Sequence, residues 1–179
     1  MKSEHFSTFK RRALHAALAS AAVLGSLGLV GNAYAISGDA TAVVVQAIEI
    51  AQTRALNFGK FVASNGGTVT LTSVDATVVG GTSVRVLPST AASGRFTVTG
   101  DGGATYALTA DSGTTLTGPS ASTMAVTGIT PSVTTGGQLS GTSGSAGTEV
   151  VYVGATLTQG AANPSGTYSG TYSITVAYN

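Results

Sequence analysis

Beyond residue 35 the dominant period of apolar and polar side chains is two. Successive side chains of a strand point to opposite faces, so this period marks half-buried antiparallel strands. Thr68-Val69-Thr70-Leu71-Thr72 puts Val69 and Leu71 on one face and three threonines on the other, and Arg95-Phe96-Thr97-Val98-Thr99 does the same with Phe96 and Val98. Further strands are expected at residues 56–62, 83–87, 105–109, 123–127 and 149–158, the last with Val151, Val153, Ala155 and Leu157 on one face. Asn65-Gly66-Gly67, Gly80-Gly81, Gly100-Asp101-Gly102-Gly103 and Gly136-Gly137 supply turn signals between them. Helical spacing is almost absent. About seven short strands at roughly 10–15-residue intervals predict one all-β domain, an immunoglobulin-like antiparallel β-sandwich. No fixed period recurs, which argues against a solenoid or propeller. Residues 136–147, rich in Gly, Ser and Thr, are expected to form a long surface loop.

The first 35 residues read differently. Lys2, Lys10, Arg11 and Arg12 form a basic start, residues 13–30 an apolar helical run, and Ala33-Tyr34-Ala35 a small-residue cleavage site. This is the pattern of a secretory signal helix cut after Ala35, with Ala33 and Ala35 as the residues the peptidase reads. Gly25, Gly28 and Gly31 interrupt the run, which argues against a retained membrane anchor. The division expected is a signal over residues 1–35, an N-terminal extension over 36–50 and a sandwich over 51–179. No membrane span is expected in the processed chain. Arg11-Arg12 raises twin-arginine export, but no cofactor motif follows, so the unfolded route is expected.

Removing the signal changes the chemistry available. Both histidines, His5 and His15, go with it, and the chain has no cysteine or tryptophan. Arg54, Lys60, Arg85 and Arg95 then face Asp39, Glu49, Asp75, Asp101, Asp111 and Glu149, for a net charge of −2. A charge-poor, weakly acidic surface argues against nucleic acid or anionic lipid as partner. Without histidine, Lys60 is the one base left for a serine nucleophile, and alternation turns it to solvent. Gly59-Lys60 lacks the earlier glycine and following Ser or Thr of a phosphate loop. Asp101 and Asp111 sit in glycine-rich turns, where Asp caps the backbone, and one acidic turn offers too few oxygens for calcium. No catalytic residue, metal site or cofactor is expected, and the chain reads as non-enzymatic.

The two ends carry the remaining information. Residues 166–179 place Tyr168, Gly170, Tyr172, Ile174, Val176 and Tyr178 on one face, with Thr, Ser and Ala on the other. Residues 40–50, Ala-Thr-Ala-Val-Val-Val-Gln-Ala-Ile-Glu-Ile, form a β-branched extension ahead of the first expected core strand. Gly166, fourteenth from the end, and the penultimate Tyr178 resemble the C-terminal motif of pilus subunits assembled by the chaperone–usher route. That resemblance implies an assembly strand at Gly166, Tyr168, Tyr172, Ile174, Val176 and Tyr178, recognised by a periplasmic chaperone. It also implies a donated strand at Val43, Val44, Val45, Ile48 and Ile50 that completes a neighbouring subunit. Strand addition of this kind is a general recognition mode, and four or five Val/Ile-sized side chains contribute roughly 6–15 kcal/mol before ordering costs. Use of these strands within their own domain fits the same alternation, so cis and trans use both stand. Pilus subunits of that route commonly carry a disulfide between early strands, which this chain lacks.

Leu56-Asn57-Phe58-Gly59, Phe96-Thr97-Val98-Thr99-Gly100, Tyr152-Val153-Gly154-Ala155-Thr156-Leu157 and the residues 166–172 ending also resemble a family of uncharacterised secreted proteins of Gram-negative bacteria. The expectation is a pilin-like structural or adhesive subunit of the periplasm, cell surface or fimbrium, with like subunits and a periplasmic chaperone as partners. The alternative is a self-complete secreted sandwich that binds a ligand such as a glycan through loops like 136–147. A third, lesser reading takes the pairs Thr68/Thr70, Thr97/Thr99 and Thr115/Thr117 as an ice-binding array, although threonine is also the commonest filler of exposed strand faces.

Overall fold

The computed structural model describes residues 34–62, 66–75, 80–86 and 90–179, with the side chains of Val84 and Arg85 left aside. The basic start, the apolar run and Ala33 of the expected signal lie outside the described residues. The chain divides into two units, Met1–Thr41 and Ala42–Asn179. In the first, residues 34–41, including Ala35, are exposed and carry no regular secondary structure. Among the described residues no helix is long and apolar enough to cross a membrane.

The second unit is an antiparallel β-sandwich. Its strands are β1 (Glu49–Arg54), β2 (Phe61–Val62), β3 (Gly67–Leu71), β4 (Val84–Arg85), β5 (Gly94–Asp101), β6 (Thr105–Ala110), β7 (Gly113–Thr117), β8 (Thr123–Pro131), β9 (Gly137–Gln138), β10 (Ala146–Gln159) and β11 (Ile174–Tyr178). The larger sheet runs β1-β5-β10-β8-β7, with β3 also on β10. A smaller sheet runs β11-β6-β9, and β2 pairs with β4.

The 14-residue β10 organises the larger sheet. One of its edges takes β5 along Ala146 to Val153 and then β3 along Ala155 to Gln159. The opposite edge takes β8 from Val153 to Thr158. Between Thr127 and Thr130, β8 carries two residues against the single Ala155 of β10. Gly128 takes this bulge with φ +63°, a left-handed conformation that favours glycine.

Alternation places the core. Val151 meets Val98, Tyr106, Leu108 and Leu139 in one cluster, flanked by Ile48, Ile50, Val176 and Tyr178. Val153, Ala155 and Leu157 meet Val69, Leu71, Met124, Val126 and Phe58 in the other. The expected strands at 68–72, 95–99, 105–109, 123–127 and 149–158 correspond to β3, β5, β6, β8 and β10.

Other expectations change. Residues 56–62 form a ladder only at Phe61–Val62, because Asn57 Oδ1 accepts the Gly59 N–H (2.8 Å) and Gly59 turns the chain at φ +80°. Residues 136–147 are not a free loop. Gly137–Gln138 pairs with β6, Leu139 is 2 % exposed, and the buried Asp101 carboxylate accepts Ser143 Oγ (2.8 Å) and the Gly144 N–H (2.9 Å). Within the expected extension, Glu49 and Ile50 already belong to β1 and pair with Thr99 and Val98 of β5.

The C-terminal segment is a ladder only at Ile174–Tyr178, yet it stays paired further back. Its partner turns a corner from β6 to β7 at Asp111 and Ser112. There Asp111 accepts the Ser173 N–H through its carboxylate (2.7 Å) and donates its own N–H to Ser173 O (3.1 Å). Beyond the corner Thr114 Oγ1 donates to Thr171 O (2.6 Å), and Ser169 exchanges two backbone bonds with Thr117. One extended segment thus follows both sheets.

Candidate strand-docking cleft

Two stretches of chain face each other across an opening of about 750 Å³. One wall is residues 55–62, which follow directly from β1. The other is residues 164–170 with Tyr172, which lead into β11. Thr114 and Leu116 of β7, Met124 and Val126 of β8 and Leu157 of β10 form a largely apolar floor.

The walls show why the opening is there. Asn57 exchanges both of its backbone bonds with Ala92 (2.9 and 2.7 Å), which holds the first wall from its outer side. Ser169 does the same with Thr117 for the second (2.8 and 3.0 Å). In an extended chain the backbone groups of neighbouring residues point to opposite sides. The N–H and C=O groups of Leu56 and Phe58, and of Tyr168, Gly170 and Tyr172, accordingly turn the other way. Among the described residues they make no hydrogen bond. Two unpaired backbone edges therefore border an apolar trough, the arrangement that accepts an added strand.

Tyrosines brace the second wall. The Tyr168 ring lies over Gly118, where a Cβ would stand 2.5 Å from it, and its hydroxyl donates to Pro164 O (2.9 Å) and meets Ser122 Oγ (2.8 Å). Tyr172 packs edge-on against Phe96 with centroids 6.3 Å apart, and its hydroxyl occupies the space a Cβ on Gly94 would need. Burial pushes the Tyr172 phenol above its ordinary pKa, the Gln52 side chain pulling the other way. Tyr178 sits against Gly100 and Leu139.

The residues singled out from sequence fall into three places. Tyr168 and Tyr172 are half-buried cleft wall, Gly170 is exposed wall, and exposed Gly166 (φ +152°) turns the chain against Pro119. Ile174, Val176 and Tyr178, together with Ile48 and Ile50, are half-buried against the Val98–Val151 cluster of their own domain. Val43, Val44 and Val45 stand out from the domain, 84 %, 92 % and 53 % exposed. Sequence reasoning named both ends but missed the floor of the opening and the glycine seats under the tyrosines; no local signal reports either.

The remaining candidates carry little chemistry. Lys60 is exposed at the cleft rim. The Asp101 carboxylate accepts hydrogen bonds from Ser143 and Gly144 and that of Asp111 from Ser173, so each ties its turn to a segment distant in sequence. Among the described residues no three His, Cys, Asp or Glu side chains gather to hold a metal ion. Thr68, Thr70, Thr156, Thr158, Thr127, Thr115, Thr117 and Thr123 share the outer face of the larger sheet through the β3–β10–β8–β7 register, with Thr70 and Thr156 hydroxyls 3.0 Å apart. Thr97 and Thr99 lie lower on the same face.

Residues 48–178 match a family described as a domain of unknown function (DUF4402). No curated protein and no solved structure matches the chain.

Proposed function

The chain belongs to the DUF4402 family, a domain of unknown function, and on the cleft we propose a non-enzymatic structural subunit that assembles by strand insertion. The observation that carries the reading is the pair of backbone edges, Leu56/Phe58 and Tyr168/Gly170/Tyr172, that have no hydrogen-bond partner among the described residues, on either side of the apolar floor. A strand laid between them forms backbone bonds with both walls and lies over half-buried Leu116, beneath which Met124, Val126 and Leu157 are already part of the core. The exposed Val43, Val44 and Val45 supply an apolar strand of the kind this trough takes. Export through a cleaved signal, display at the surface of a Gram-negative cell, a pilin-like or adhesive role and help from a periplasmic chaperone complete the proposal. The sequence of the two ends motivates those parts.

The test is binding of a synthetic peptide of residues 36–47 to the purified processed chain, read by fluorescence anisotropy, alongside sedimentation of the chain alone. Saturable binding, and concentration-dependent assembly that the peptide suppresses, are expected. A monomer that ignores the peptide at all concentrations ends the reading.

A self-complete sandwich that binds a ligand such as a glycan is the second reading. Pairing of Glu49–Arg54 with β5 of the same chain favours it, since the early strand is already used in cis. A monomer at every concentration that retains a glycan ligand selects it.

A further inference from the structure

Tyr178 ties the two ends of the domain together. Its hydroxyl donates to the backbone carbonyl of Gln46 at 2.7 Å and accepts the N–H of Asp101, also at 2.7 Å. The ring is half-buried beside Val98, Leu139 and Ile50, and a Cβ on Gly100 would collide with the hydroxyl. Three backbone segments therefore meet at one phenol: the root of the N-terminal extension, the end of β5 and the end of β11. Register agrees, because Glu49 lies opposite Thr99, which places the residues just before Glu49 beside Asp101.

This knot closes one end of the space between the chain's first and last strands. The cleft is at the other end, where the walls begin at Ala55 and Tyr172. Tyr172 is six residues from Tyr178, and Ala55 nine from Gln46, so roughly 20–30 Å of strand separates the knot from the cleft at about 3.3 Å per residue. Val43 is three residues from Gln46 and reaches at most about 11 Å from it.

We infer that the Tyr178 hydroxyl is a positioning latch that keeps Val43, Val44 and Val45 out of their own cleft, so that the cleft they enter belongs to a second copy of the chain. The inference rests on the strand-insertion reading and adds to it. It gives the last tyrosine a role in deciding between self-closure and assembly, and it makes the contact between copies head-to-tail. A contact between two different surfaces of one molecule propagates unless rotation closes it into a ring.

Two variants of the full processed chain test this. Tyr178→Phe keeps the ring and removes the hydroxyl; Gly100→Ala keeps the hydroxyl and displaces it. In each, hydrogen exchange at the amides of Asp101 and of Ala47 to Ile50 should quicken by about tenfold while the β10 amides stay protected. Assembly by sedimentation should weaken by about tenfold. Binding of the 36–47 peptide should stay within about twofold of the parent, since the cleft is untouched. Unchanged exchange at Ala47 to Ile50, or quickened exchange with undiminished assembly, overturns the latch and leaves strand insertion standing. Failure of the parent chain to bind the peptide overturns strand insertion itself, and the latch role with it.

Discussion

The Tyr106 hydroxyl, on β6 of the smaller sheet, donates to the Glu149 carboxylate of β10 at 2.7 Å and so stitches the two layers together from inside. The tyrosine is fully buried, and its ring fills the space a Cβ on Gly137 would take. Hydrogen bonds to charged groups are worth about 1.5–3 kcal/mol. Tyr106→Phe should lower unfolding stability by about that amount in urea titration without changing the far-ultraviolet spectrum.

The same group gives a pH dependence. Burial first, then the hydrogen bond to Glu149 and last its charge, push the Tyr106 phenol well above its ordinary value; burial does the same for Tyr172. The unfolded chain releases these protons near pH 10, whereas the folded chain holds them to higher pH. Above about pH 10 the unfolded state binds fewer protons, so stability falls as pH rises and is fully present below that point. Thermal melts from pH 7 to 11.5 should be flat to about pH 9.5 and drop beyond. Tyr106→Phe should make the drop shallower; an equally steep one would remove Tyr106 as its source.

Glycines separate into seats and hinges. Gly137→Ala drives a methyl into the buried Tyr106 ring, and Gly118→Ala drives one into Tyr168. Overpacking of this sort costs about 1–3 kcal/mol. Gly128 has open space around it and only its left-handed φ of +63° to lose, so Gly128→Ala should cost about 1 kcal/mol. Urea midpoints of the three variants check the order, with Gly137→Ala the most damaging.

The cleft makes its own signature. The amides of Leu56, Phe58, Tyr168, Gly170 and Tyr172, without hydrogen-bond partners among the described residues, should exchange within seconds in the monomer. Upon assembly they should become protected together, whereas Asn57 and Ser169, already paired, should change little. Mass-spectrometric exchange on monomer and assembly fractions checks it. Protection of Asn57 and Ser169 alone would show that a strand does not enter.

The sheets were legible wherever strand alternation ran undisturbed. Val69 and Leu71, Phe96 and Val98, and Val151 to Leu157 all announced their inward faces. Glu49–Arg54 carries no such mark, because its register mates lie on β5 and its pattern offers only Ile50 and the part-buried Arg54 inward. Leu139 escaped because a single anchor is lost among Gly, Ser and Thr. The C-terminal alternation is visible in the half-buried even positions from Tyr172 to Tyr178, but no local pattern marks its break into a short ladder. That break is set by the corner at Asp111, some sixty residues upstream, where β6 of one sheet becomes β7 of the other. Both cleft walls lay in segments the sequence singled out; their facing each other is a tertiary fact that no local pattern encodes.

One strand, β10, lines both hydrophobic clusters, Val151 in the first and Val153, Ala155 and Leu157 in the second. Neither half of the sandwich can melt while the other keeps its wall, so the two halves share one fate. Heat should therefore unfold this domain in a single all-or-none step.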